Sequence, residues 1–562
     1  MMLDSSAMAA SLNQSAPGHP APGQLLALLG KFLPRSATPA QTVAAVEAVL
    51  QSPIGESLRQ TMARWIVDEM VPVDELVPEA YVQWRPPVRD AMMFVVVRLS
   101  PARLAPKLVE QIELPPNTSA EERLLRLIAR VPGLQKLGQV IARNRHLHPA
   151  LRRALTKLEN GIRDVRPEDI CTIIRRDLGN KLQIHDVRIA DNILSEASVS
   201  AVVRFTWRNP ETGRRQRGVF KVLKPHIPEY FAEDMEYLQG LAQYFGDRHH
   251  RYGFPAGLIP DTFRKVRRLL RYEVNFTREQ KTLAEAGMLY QGVPGVRVPD
   301  LIKALCAPAI TALTEERGTK VTNAAARLPA ERRRQLAGQL MEALVAVPLF
   351  AASPKAIFHG DPHAGNLLYD NRRGVLVILD WALRERLSRE QRRHLALLFL
   401  MMSLRDPVGT AAEIGALTRQ RFRTSSPRGR MIRQSAAEFL GRIPPSSLPG
   451  VPDAMRLLEE VALKGVRFPA SLVMVSKVMF TLDGVLGDIV GRDPGLGFAV
   501  ARRVARRWLI NRAAFRSPLR TQDWLTLQCS ALLYTSRLWV QWEQAMLTRL
   551  LARRSQAPPA IA

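Results

Sequence analysis

His359-Gly-Asp-Pro-His-Ala-Gly-Asn366 is the stretch on which the reading of this chain turns. It sets an aspartate and an asparagine five positions apart, and Asp380 follows the apolar run Val375-Leu-Val-Ile-Leu379. Moving a phosphoryl group needs an anchored triphosphate, one or two metal ions and a group that orients the nucleophile. A metal such as Mg2+ wants hard oxygen ligands. In this spacing Asp361 is the orienting, catalytic residue, while Asn366 and Asp380 are the metal ligands. Asp370-Asn-Arg-Arg-Gly374, between Leu367–Tyr369 and Val375–Leu379, signals a hairpin that would present Asp380 from a rigid strand end. His359 and His363 also admit a reading as metal ligands with Asp361. A metallohydrolase needs further histidines or carboxylates, and among the ten histidines no second cluster pairs with this one. His359 is therefore read as a brace for the loop, which Pro362 and Gly365 turn tightly.

Upstream, Leu182–Ile189, Ser198–Trp207 and Gly218–Leu223 read as strands, with the turn signal Asn209-Pro-Glu-Thr-Gly213 between the last two. Helical stretches near 228–246 and 261–289 follow, then short strands at Val296–Pro299 and Ala309–Glu315. Lys221, near the end of the third strand, is the expected phosphate contact, and Glu279 on a helix is its expected partner. From Pro329 the spacing of Leu336, Leu340, Leu344 and Val347 is helical, and so is everything after about 388. A small β-rich lobe before a larger helical lobe is the plan of a protein kinase. No G-x-G-x-x-G precedes Lys221; the corresponding hairpin reads Leu194-Ser-Glu-Ala-Ser198. That argues against an ordinary protein kinase.

Taken together these residues resemble the UbiB family of atypical kinase-like proteins, over roughly 134–494. The resemblance implies an α+β, protein-kinase-like two-lobe fold with a helical N-terminal extension and a helical C-terminal tail. It implies an ATP- and Mg2+-dependent kinase or ATPase that supports ubiquinone or other isoprenoid-lipid metabolism. The family replaces the glycine-rich loop with an alanine-rich one, where Ala197 and Ser198 stand here. These two and Glu315 are expected to bind the nucleotide alongside Lys221 and Glu279. The family's K-x-G-Q helix matches Lys136-Leu-Gly138-Gln139, and its E-x-D matches Glu273-Val-Asn275; Lys136, Gly138, Gln139 and Glu273 are the implied regulatory residues. Departures are Asn275 in E-x-D, Ala201 in place of a glutamine, and Asp380-Trp-Ala382 in place of D-F-G. Two alternatives stand beside this reading. His359-Gly-Asp361 with Asp380-Trp381 also resembles the aminoglycoside and choline kinase group of small-molecule phosphotransferases, and the altered D-F-G suits a nucleotide-binding scaffold without turnover.

At 562 residues the chain is too long for one core. The expected divisions are a disordered tail at 1–24, a helical extension at 25–118, the K-x-G-Q region at 119–180, an N-lobe at 181–318, a C-lobe at 319–500 and basic amphipathic helices at 501–562. The formal net charge of +28 calls for an anionic partner or a solvated basic surface. No nucleic-acid module is recognisable, so nucleic acid is not expected. After residue 500, eleven arginines face only Asp523 and Glu543, interleaved with Trp508, Trp524, Trp539 and Trp542. That suits an interfacial segment on anionic membrane lipid. No apolar run is long enough to span a bilayer, and no signal or transit peptide is recognisable. The expected location is the bacterial cytoplasm, peripheral at the inner face of the membrane, with quinone precursors and biosynthetic-complex proteins as implied partners. The three cysteines lie far apart and fit a reducing compartment.

Overall fold

The computed structural model describes residues 38–136 apart from 54 and 78, then 165–253, 257–418, 425–491 apart from 445, 446 and 448, and 518–555. The chain divides into two compact units. The first takes the residues up to Phe276 together with Ile302–Leu313, and the second takes Thr277–Leu301 and the residues from Thr314 onward.

The first unit opens with helices that include Pro39–Gln51, Gly55–Trp65, Arg85–Arg98, Pro101–Glu113 and Ala120–Ile128. Ser119 caps the last of these, its side chain accepting the Glu122 N–H, as the Ser119-Ala-Glu-Glu122 pattern dictates. Their apolar faces bury Met62, Ile66, Val96, Leu104 and Leu108 in one cluster with Leu238, Leu241 and Phe276. Beyond them lies a four-stranded sheet, ordered β1 (Arg188–Glu196), β2 (Ser200–Arg208), β3 (Arg215–Leu223) and β4 (Ile310–Thr314). The β2–β3 turn is set by Asn209, whose Oδ1 accepts the Glu211 N–H at 2.8 Å, and by Gly213 at φ +64°. Strand alternation puts Val203, Phe205, Trp207, Phe220 and Val222 on one face, where they pack with Ile170, Ile173 and Ile174 of the Pro167–Leu178 helix. Lys221, paired with Val202, points to the other face.

The expected strand Leu182–Ile189 is not formed. Residues Lys181–Ile184 make a short helix, and Asp186 takes a left-handed φ of +45°, so extended chain begins only at Arg188. The helical stretch expected at 261–289 is two helices, Leu258–Glu273 and Phe276–Tyr290, broken at Asn275.

In the second unit the hairpin expected from Asp370-Asn-Arg-Arg-Gly374 pairs Leu367–Asp370 with Val375–Ile378. Gly374 turns at φ +67°, and the Asp370 Oδ1 accepts the Arg372 N–H. Val296–Arg297 adds in parallel to Val375–Ile378, and Thr319–Lys320 adds antiparallel to Leu367–Asp370. Two strands absent from the sequence reading, Lys355–His359 and Arg384–Ser388, pair antiparallel on either side of the loop and hairpin. Charged residues mask Arg384–Ser388, while Lys355–His359 is a short run buried on both faces and so shows no alternation. Helices follow from Arg389–Ser403, opened by a Ser388–Gln391 capping box, to the 35-residue Thr521–Ser555.

Candidate functional site

In the second unit the Lys355–His359 strand delivers the loop. His359 is buried; its Nε2 bonds the Leu379 carbonyl at 2.9 Å and its Nδ1 accepts the Asp361 N–H at 3.2 Å. Burial lowers the pKa of the imidazole, against the raising effect of the Leu379 carbonyl, so the ring is neutral and carries its proton on Nε2. It is a brace rather than a ligand. Trp381 closes over it, edge to face at 4.9 Å between ring centroids. Gly360 must be glycine: a β-carbon there would meet the main chain of Leu383 and Arg384 at 2.7–2.8 Å.

Asp361 is mostly buried, with its Oδ2 3.9 Å from His363 Nε2. Asn366 Nδ2 donates to the Asp361 carbonyl at 3.1 Å, which turns the amide oxygen of Asn366 the opposite way. The Asn366 carbonyl in turn accepts the Leu379 N–H at 2.8 Å, one residue before Asp380. Asp361, Asn366 and Asp380 are thus linked through the main chain. Two of them, Asn366 and Asp380, offer the oxygen donors that Mg2+ takes when phosphates complete its shell. Asp380 sits at φ +53°, a strained position for a residue with a β-carbon, and its Oδ1 accepts the Ala382 N–H. Glu279 is buried on the Phe276–Tyr290 helix of the same unit, and Glu315 is half-buried just after β4.

In the first unit Lys221 is half-buried, its ammonium 5.5 Å from the ring centroid of the fully buried Phe276. Ala197 and Ser198 form the β1–β2 turn, where the Ala197 N–H donates to the Ser200 carbonyl. Sequence reasoning missed the pair that anchors this turn. Lys224 Nζ lies 3.1 Å from Glu196 Oε2, with both side chains almost wholly buried. Two charges 28 positions apart carry no local signal that they meet.

Residues 157–412 match the ABC1 atypical kinase-like domain. That match and the UbiB relatives support the UbiB/aarF family for this chain. The chain has an α+β kinase-like fold of two lobes. A chloroplastic protein of Arabidopsis thaliana named for activity of bc1 complex kinase 7 is 24% identical over 65% of this chain and 51% of its own length. A probable protein kinase UbiB of Xanthomonas oryzae is 26% identical over 69% of this chain and 70% of its own. Several relatives are matched over less than two thirds of their length, 65%, 51% and 33% in three of them. The solved complex of Rv3197 with erythromycin from Mycobacterium tuberculosis is similar with a TM-score of 0.43 and 17% identity, covering 66% of this chain and 93% of that one.

Two of the residues expected from the UbiB resemblance meet in the first unit: Lys136 forms an ion pair with Glu273, both largely buried. Gly138 and Gln139 lie outside the described residues, as do the expected N-terminal tail and the Arg502–Arg507 cluster.

Proposed function

We propose that this UbiB/aarF-family chain is an atypical kinase or ATPase that binds ATP with Mg2+. In this reading Lys221, held by Glu279, contacts the phosphates, with Ala197, Ser198 and Glu315 beside the nucleotide. Asn366 and Asp380 hold the metal, and Asp361 orients the attacking group. The metal, when bound, neutralises charge that develops on the transferring phosphoryl group. The observation that carries the reading is the main-chain linkage of Asp361, Asn366 and Asp380, which sets a base and two oxygen donors in one rigid piece.

The family reading extends to ubiquinone or related isoprenoid-lipid metabolism at a membrane surface. Supporting it, the helix Thr521–Ser555 exposes Leu525, Leu532, Leu533, Trp539, Val540 and Met546. Among the described residues no helix is long and apolar enough to cross a membrane. The decisive measurement is Mg2+-dependent ATP hydrolysis by the full chain, with and without anionic liposomes. Wild type should hydrolyse ATP, and Asp380→Asn should lose at least about a hundredfold in rate. Retained ATP binding without hydrolysis in wild type would instead leave a nucleotide-binding scaffold. Stoichiometric phosphorylation of an added small alcohol would move the protein to the small-molecule phosphotransferases.

A further inference from the structure

We infer that Arg278 is a positioning residue for Asp380, acting through the backbone of Ala382. The inference rests on the metal-holding role proposed for Asp380, and every contact in it lies within the second unit. Ala382 is bonded on both of its polar groups. Its N–H donates to Asp380 Oδ1 at 3.2 Å, and its carbonyl accepts Arg278 Nη1 at 2.9 Å. Asp380 occupies a backbone conformation that a β-carbon disfavours, so the direction of its carboxylate depends on what holds the next two residues. Arg278 holds them.

Arg278 is itself held. Thr282 Oγ1 donates to the Arg278 carbonyl at 2.8 Å and accepts from Arg384 Nε at 2.7 Å. Arg384 lies two residues beyond Ala382, so Arg278, Thr282, Arg384 and Ala382 close a circuit. Thr282 and Ala382 are buried, so water does not replace these bonds at little cost. One helical turn further on, Glu285 pairs with Arg386. Positions 278, 282 and 285 share one face of a helix, and 384 and 386 share one side of the Arg384–Ser388 strand. The helix that bears Glu279 is therefore riveted to the segment that follows Asp380. Groups that orient a metal ligand from behind are worth about 10–100-fold in metal affinity.

The test titrates Mg2+ against ATP binding by the full chain in wild type, Arg278→Met, Arg278→Lys and Thr282→Val. The expected result for Arg278→Met is a rise of about tenfold in half-saturating Mg2+, with metal-free ATP affinity changed by less than about twofold. Arg278→Lys should recover part of the loss, because an ammonium can donate to the same carbonyl. Thr282→Val, which keeps the buried shape and all of Arg278, should give a smaller shift in the same direction. Hydrogen exchange in a peptide spanning 380–386 should quicken in Arg278→Met. An unchanged Mg2+ midpoint overturns the inference. So does equal weakening of metal-free and metal-bound ATP with a general fall in melting temperature, which is what a packing residue would give. If wild type binds ATP with no Mg2+ dependence, the proposed role of Asp380 fails instead. The exchange arm then decides the tether by itself: unchanged protection of 380–386 in Arg278→Met refutes it.

Discussion

Around Asp361 the groups that face the chemistry are fixed by main-chain bonds and one neutral histidine. Asn366 bonds the carbonyl of Asp361, Leu379 bonds that of Asn366, and His359 joins the Leu379 carbonyl to the Asp361 N–H. Around Lys221 the fastening is by buried charge. Lys224 and Glu196 pin the β1–β2 turn, and Lys136 pairs with Glu273 three residues before the Phe276 ring that Lys221 lies against. Main-chain bonds are indifferent to which side chains surround them. A buried ion pair is all or nothing, since either partner left alone is an uncompensated charge. The first unit can therefore be loosened by one substitution at a charge, whereas the loop of the second is held by uncharged bonds from the main chain, the Asn366 amide and His359.

The largest expected effect follows from that asymmetry. Lys224→Met leaves the Glu196 carboxylate buried beside an apolar side chain, at a cost of about 3–5 kcal/mol in urea unfolding of the first unit. The double variant Lys224→Met with Glu196→Gln should recover most of that loss, because the buried charge has gone. Equal destabilisation of single and double variants would show that shape, rather than charge, secures the turn. Next comes the matching test on the loop. Gly360→Ala puts a β-carbon against the Leu383 and Arg384 backbone and should cost about 1–3 kcal/mol, read as a lower melting temperature together with weakened Mg2+-ATP binding. Replacing His363, half-exposed with its Nε2 3.9 Å from Asp361, should cost far less, since the one close hydrogen bond of its ring among the described residues is accepted from the Gly365 N–H.

The same contrast decides what could be read in advance. Asp361, Asn366 and Asp380 were legible because local spacing and a hairpin turn fix them, and both are written in consecutive residues. Glu196–Lys224 and Arg278–Ala382 join positions 28 and 104 apart, and each charged member looks locally like a surface residue. Lys136–Glu273 was suggested only by family resemblance, which supplied the long-range pairing that periodicity lacks. The false strand at Leu182–Ile189 has a similar origin. Its alternation slips by one, from Leu182 and Ile184 to Val187 and Ile189, at Asp186, where the chain turns left-handed beside arginines from β1, β2 and β3. Short, charged strands such as Arg384–Ser388 stay hidden because their partner, not their pattern, makes them strands.

The smallest effect sharpens the comparison from within the second unit, where one element does rely on buried charge. The base of the Thr521–Ser555 helix is held by Asp523, whose carboxylate takes two hydrogen bonds from Arg393, one of them from Nε at 2.7 Å. Ser530 adds a bond to Asp406, and Leu527 packs on Leu397 and Met401. Burial pushes the Asp523 carboxyl upward, but the bonds from Arg393 and the Arg520 backbone outweigh it and hold its pKa below 3.8. A carboxyl with a depressed folded pKa stabilises fully above its unfolded value and loses that contribution as pH falls through the folded one. Acid below about pH 4 should therefore release the 521–530 segment, and Asp523→Asn should release it at neutral pH by about 1.5 kcal/mol. Hydrogen exchange, corrected for the intrinsic pH dependence, reads both. The loop at 359–367 should weaken over a different range, as pH falls below about 6.5, because unfolded His359 takes up a proton that its buried, lowered-pKa imidazole refuses in the fold. If loop and helix base open together, the second unit too is held by charge, and the contrast drawn between the units collapses.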